Sequence, residues 1–389
     1  MRANVKKVLY GVVAAAAMLA PEAREAAAQE FARDGATLGA LSSISEAVVE
    51  GDVRSVTPAG GGLVGILEIQ RAYKAPGGAI SSRIAVFTTS GDSLSVQLPP
   101  GFHGVFTLRR TGAAIPVAAE QSTALPVYAI EGAWLGAIDT TTREGQAVAD
   151  RLAGLIAARA QGQTAYRRYL ADGLSHWHPR VATDAAFDLE AAAATPTADE
   201  AAAVVRALDA NLATFEDPRP LIRLAGRARA RGAQTAILGI LESPAGGHAV
   251  RDVAAALAAI DDAAAKQVLI SGLERHASVA VRARIARVLG IMREPLAFDA
   301  LVRVARSGEG SARRAAVVAL GQLGDARAVP VLEPMLRGGD LAAAIALAEV
   351  GREGAERLAA IQRETSGPVA SFVDFVRSNP AAARHLVAE

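Results

Sequence analysis

The spacing of apolar residues changes once along this chain of 389 residues. Between Thr37 and about residue 130 they fall in short, partly alternating runs at 47–56, 63–73, 84–87, 94–98, 104–108 and 126–128. Glycine and proline clusters at 60–62, 76–78, 91–92 and 99–101 separate these runs. Short alternating runs punctuated by turn residues predict strands, and closing them on one another removes exposed edges. Residues 37–131 are therefore expected to form a small β-barrel or sandwich.

From residue 143 onward the apolar spacing is helical and the chain is rich in alanine. Thr140 to Thr142 form the expected linker, with a threonine as N-cap. Helices are predicted at 145–156, 166–174, 180–189, 201–212, from Pro218 to near Gly232, and at 234–241. The sequence Thr197-Ala198-Asp199-Glu200 has the spacing of a capping box. Residues 143–245 thus read as irregular helical repeats.

Residues 246–364 carry a regular array. The segment 281–290 is answered by 312–321 and again by 341–351, and 250–259 lies 31 residues ahead of the first. Gly290, Gly321 and Gly351 recur at intervals of 31 and 30 residues. A fixed period of that size marks stacked helix pairs, each too short to be stable alone in water. The recurring glycines are expected to end their helices in left-handed turns. Residues 365–389, with Phe372, Val373 and Phe375, read as a helical cap.

The Val-Arg, Ala, Leu-Gly and Gly-Asp pattern in Ala319-Leu320-Gly321-Gln322-Leu323-Gly324-Asp325 resembles the short HEAT-like repeats of the phycobilisome-lyase type. This resemblance implies an α-solenoid. The order of the N-terminal strands resembles an OB-like or netrin-like module of exported bacterial proteins, which implies a binding barrel. The expected fold is multidomain: an OB-like β module followed by a solenoid of HEAT-like helix pairs.

Charge narrows the partners. The chain carries 41 basic and 40 acidic residues, a formal net charge of +1. Only four of the basic residues are lysines, which fits a GC-rich coding bias better than a nucleic-acid surface. Residues 1–28 read as a signal peptide: basic Arg2, Lys6 and Lys7, an apolar run at 8–20, and small residues at 26–28 before Gln29. An uncleaved peripheral anchor is the other reading of this segment. Beyond it 37 basic and 38 acidic residues remain, so no overall attraction to polyanions is expected. The apolar run is too short to span a bilayer as a helix, and the mature chain is expected to have no transmembrane helix and a periplasmic or extracellular location. The chain has no cysteine, which excludes disulfides and thiol chemistry.

No nucleophile elbow, phosphate loop or metalloprotease motif occurs, and neither an enzyme nor a cofactor is expected. Gly60 to Gly65 match the dinucleotide fingerprint in spacing, but the residues after them read as a strand, so a hairpin turn is expected. Arg251, Arg282 and Arg313 recur at the repeat period, either as a structural ladder or as a row facing a ligand. Arg219, Arg223, Arg227 and Arg231 are spaced by four, as one helix face would be. Either set could meet a protein partner, and the second could meet an anionic lipid or glycan of the envelope, unless it is a solvated, ion-paired face. His176 and His178, with Asp184 and Asp188 after them, are weak metal-ligand candidates that read otherwise as packing around Trp177.

Overall fold

The structure, a computed structural model, describes residues 37–59, 62–89, 98–111, 125–131, 136–192, 194–211, 215, 217–244 and 246–385. The segment 1–28 read as a signal peptide, the strand expected at 94–97 and the tip of the first hairpin lie outside the described residues. The chain divides into two compact units, one ending at residue 193 and one beginning at residue 194, except that 214–216 group with the first.

The first unit is built on strands β1 (Ala47–Ala59), β2 (Gly62–Lys74), β3 (Arg83–Thr89), β4 (His103–Arg110), β5 (Val127–Ile130) and β6 (Ala137–Asp139). The order β1-β2-β3-β5-β4 closes where β4 pairs with β1, and β6 extends the sheet beside β4. Every pairing is antiparallel except that of β3 with β5, an OB-like topology. Alternation sets the faces. Val49 and Val53 point into a core with Leu67, Ile84, Val86, Phe106 and Leu108, while the intervening Glu50 and Asp52, and Arg54 after them, make polar contacts outside it. Register shifts between β1 and β2 mark bulges, which bend strands and help a small barrel to close. Gly62 opens β2 in a hairpin with β1, so the glycine cluster does not lead into a helix that could hold a pyrophosphate.

Helix α1 (Leu38–Ile44) precedes the barrel, and α2 (Arg143–Ala160), α3 (Gln163–Gly173) and α4 (Pro179–Ala191) follow it in the same unit. Thr142 caps α2 by accepting the Gly145 amide at 3.0 Å. Leu38 and Leu41 of α1 are buried, and α1 packs on α2 and α4.

The second unit runs from α5 (Ala198–Asn211), α6 (Arg219–Arg227), α7 (Gln234–Ile240), α8 (Gly246–Ile260) and α9 (Ala263–Arg275) to α10 (Val279–Met292), α11 (Phe298–Ser307) and α12 (Gly310–Leu323). It continues through α13 (Val329–Arg337), α14 (Leu341–Val350), α15 (Arg352–Glu364), α16 (Pro368–Ser378) and α17 (Pro380–His385). The capping box at the start of α5 is formed, with the Thr197 amide donating to Glu200 at 2.7 Å and the Glu200 amide to Thr197 at 3.3 Å. Helices α6, α8, α10, α12, α14 and α16 stack in one closely packed row, α5, α7, α9 and α11 pack in sequence more loosely, as do α13 and α15, and α17 packs on α14 and α16.

Gly290 and Gly321 do not turn the chain. Both are buried inside helices, and the left-handed positions are Arg293 (φ 51°) and Gly324 (φ 70°). A Cβ at Gly290 would lie 2.8 Å from the Ala319 Cα, and one at Gly226 would lie 2.8 Å from the Ala256 Cα. The periodic glycines therefore mark where neighbouring helices of the first row touch backbone to backbone. Gly351 alone of the three has positive φ, at 108°, and follows its helix, but with ψ −148° it is extended rather than in the expected left-handed turn.

Candidate partner-binding surface

The periodic arginines are built into the array to different degrees. Arg282, in the first turn of α10, donates to the carbonyls of His276 at 2.6 Å and Ala277 at 3.4 Å, and lies 3.7 Å from Glu309. Arg313 of α12 donates to the Ala305 carbonyl at 3.2 Å and pairs with Asp340 at 2.9 Å. Glu309 and Asp340 are the N-cap residues of the next helix in the row, each 27 residues beyond its arginine. The residue at that distance from Arg251 is Ser278, which caps α10 but carries no charge. Arg251 is exposed and makes no ion pair among the described residues.

The second arginine set is not one helix face. Helix α6 ends at Arg227, and the left-handed Arg229 (φ 47°) redirects the chain before Arg231, which is exposed. Arg219 forms a two-pronged pair with Asp217, Arg223 lies 3.2 Å from Asp252, and Arg227 donates to the Ala194 carbonyl at 2.7 Å. Burial raises the Asp217 carboxyl, but the hydrogen bonds and charge of Arg219 outweigh it and hold that group below its ordinary value. These contacts tie helix starts and loops together within the unit.

His176 and His178 flank an exposed Trp177 in the turn before α4, with ring centroids 5.7 and 5.4 Å from the indole and the Arg143 guanidinium 4.8 Å from it. Burial, then the nearby cations Arg151 and Arg180, lowers the titration of the two imidazoles. The His178 amide donates to His176 Nδ1 at 3.1 Å. Asp184 and Asp188 accept bonds elsewhere: the Leu38 amide donates to Asp184 at 3.1 Å, the Gly39 amide to Asp188 at 2.8 Å, and the Thr37 hydroxyl also to Asp188. The four residues thus do not make one ligand set. Among the described residues no group of three or more metal-ligating side chains is arranged to hold an ion.

The clamp of α1 onto α4 was not visible in the sequence, because its partners are about 150 residues apart. Burial pushes the Asp188 carboxyl up to about 7 despite its donors. A second unforeseen cluster lies on the barrel wall, where His103 Nδ1 is 2.9 Å from Asp52 and Tyr73 donates to Glu50 at 2.7 Å. Burial, then the Glu50 carboxylate, pushes the Tyr73 hydroxyl up to about 12. These bonds tie β1, β2 and β4 together, and alternation of polar residues is the signal that places them outside the core.

Apolar side chains also reach the surface of the array. Leu296, Val268 and Leu341 are 64%, 57% and 41% exposed. Leu341 lies in an open groove of about 840 Å³ beside α12, the loop between α13 and α14, and α16. Arg313 is the candidate residue that the structure brings into this groove.

A closed five-stranded barrel and a two-row helical array define an architecture of a β module with an α-solenoid. Residues 267–350 match the family of HEAT repeats. No curated protein matches the chain. Among solved structures, the complex of CpcE and CpcF of phycocyanin lyase from Nostoc sp. PCC7120 is similar at 16% identity and a TM-score of 0.27, covering 58% of this chain and 86% of that one. Likeness at that level carries no argument about activity.

Proposed function

We propose that this chain is an exported, non-enzymatic scaffold whose helical array holds a protein partner, with the barrel as a second docking unit. The observation that carries the reading is the exposure of Leu296, Val268, Leu341 and Ile291 on a repeat array whose core is otherwise built of buried apolar side chains. The basic, apolar and small-residue pattern of residues 1–28 supports export. The envelope reading, in which the arginines of 219–231 meet anionic lipid or glycan, draws less support, since Arg219, Arg223 and Arg227 are engaged within the unit.

A photo-crosslinking residue at Leu296 tests the scaffold reading in envelope preparations. The expected result is one discrete adduct, lost when Val268→Lys is added. Adducts absent at Leu296, Val268 and Leu341 alike would sink it. Salt-sensitive sedimentation with anionic vesicles that disappears when Arg219, Arg223, Arg227 and Arg231 are changed to serine would favour the envelope reading instead.

A further inference from the structure

The groove beside Leu341 has a composition that selects among protein segments. Leu341, Ile345, Met335 and Phe372 give it apolar walls, and Arg313 and Arg314 stand on one side. Asp340 is the one carboxylate lining it, and its oxygens accept the Ala342 amide at 3.2 Å and face Arg313 at 2.9 Å. One arginine charge is therefore balanced. Arg314 is exposed and makes no ion pair among the described residues, so it leaves a net positive charge beside an apolar surface.

The first turn of α12 borders the same groove at Gly310. Its N-cap, Glu309, makes no side-chain capping bond, whereas Ser278 and Asp340 cap the preceding and following helices of the row. The amides of that turn add partial positive charge to that of Arg314.

We propose that this groove binds an extended peptide segment in which carboxylate side chains alternate with apolar ones. The alternation places apolar groups against Leu341 and Phe372 while carboxylates meet Arg314 and the start of α12. One surplus cation and few aromatic rings give a nucleic acid little to neutralise or stack on. The proposal rests on the reading that the array holds a protein partner, and it names the chemistry of the segment held.

Fluorescence anisotropy on the full chain tests it, with a short fluorescein-labelled peptide of alternating glutamate and leucine and a second of alternating lysine and leucine. The first is expected to bind and the second not. Arg314→Glu and Leu341→Lys are each expected to weaken the first by about tenfold or more, with unchanged thermal unfolding. Arg306→Glu, outside the groove, is expected to leave binding unchanged. Arg314→Ala serves if the reversal disturbs folding. No binding by the unmodified chain, equal binding of both peptides, or binding unaltered by Arg314→Glu and Leu341→Lys would each overturn the proposal. The adduct at Leu296 is read outside the groove, so failure of the peptide to bind with that adduct retained overturns the groove proposal alone, whereas adducts absent at Leu296, Val268 and Leu341 alike overturn the scaffold reading.

Discussion

A Cβ placed on Gly321 of α12 would stand 2.5 Å from the Cα of Ala346 in α14 and 2.5 Å from its carbonyl oxygen. Gly321→Ala must therefore force two helices of the row apart, at an expected cost of about 2–4 kcal/mol in chemical denaturation. Ala346→Gly should not rescue it, because the obstructing atoms are backbone. Gly324→Ala, at a left-handed turn with open space around it, is expected to cost only about 1 kcal/mol. Equal effects at the two glycines would refute the assignment of close packing to Gly321.

Leu320 is fully buried beside Gly321. Leu320→Asp introduces a charge among apolar side chains, with an expected loss of about 3 kcal/mol or more. Thermal unfolding unchanged from the parent would place Leu320 outside the core of the array.

Arg251 lacks the anion that its equivalents meet, because Ser278 occupies the position of Glu309 and Asp340. Ser278→Asp retains a capping side chain for α10 and supplies that anion. A gain of about 0.3–1 kcal/mol at low salt, diminishing as salt is added and absent in Arg251→Ala, is the expected result of a double-mutant cycle.

The Asp188 carboxyl holds a proton to about pH 7 in the folded chain, against an ordinary value of 3.8. The folded state then binds more protons than the unfolded one between those values, so stability falls as pH rises through about 4 to 7. Asp188→Asn can still accept the Gly39 amide and can donate to the Thr37 hydroxyl. It should flatten this dependence and exceed the parent by about 1–3 kcal/mol above pH 7. Urea melts of the two proteins across this pH range provide the check, and parallel curves would rule the idea out.

Glu333 of α13 accepts from Arg357 of α15 and from Arg337 at 2.9 Å, and these bonds hold its carboxyl down to about 2. Its folded value lies below its ordinary 4.5, so the stabilisation is complete above that value and is lost as pH falls towards 2. Glu333→Gln should remove that acid dependence and, above about pH 4.5, lose the stabilisation itself, by less as salt is added. Acid titration followed by helical circular dichroism measures both.

Periodicity made the array legible, since a helix pair repeated at about 31 residues leaves few other ways to bury its apolar face. The strands were legible from the alternation of Val49 and Val53 with Glu50 and Asp52. The purpose of Gly290 and Gly321 was not, because a glycine near a helix end reads the same whether it turns the chain or lets a neighbour approach. The arginines of 219–231 were misplaced for a related reason: their spacing fits one helix, and only the left-handed Arg229 shows where the helix has stopped. The groove beside Leu341 gathers residues from several elements, and no local pattern announces it.

The bonds from Thr37, Leu38 and Gly39 to Asp184 and Asp188 join the segment before the barrel to a helix after it. They set a limit on how far the chain could be shortened from its N-terminal side. Trimming that stops ahead of Thr37 spares the clasp, whereas a cut a few residues farther along would unfasten α1 and expose the carboxylates it covers. The residue at which a shortened chain begins is therefore a determinant of its durability.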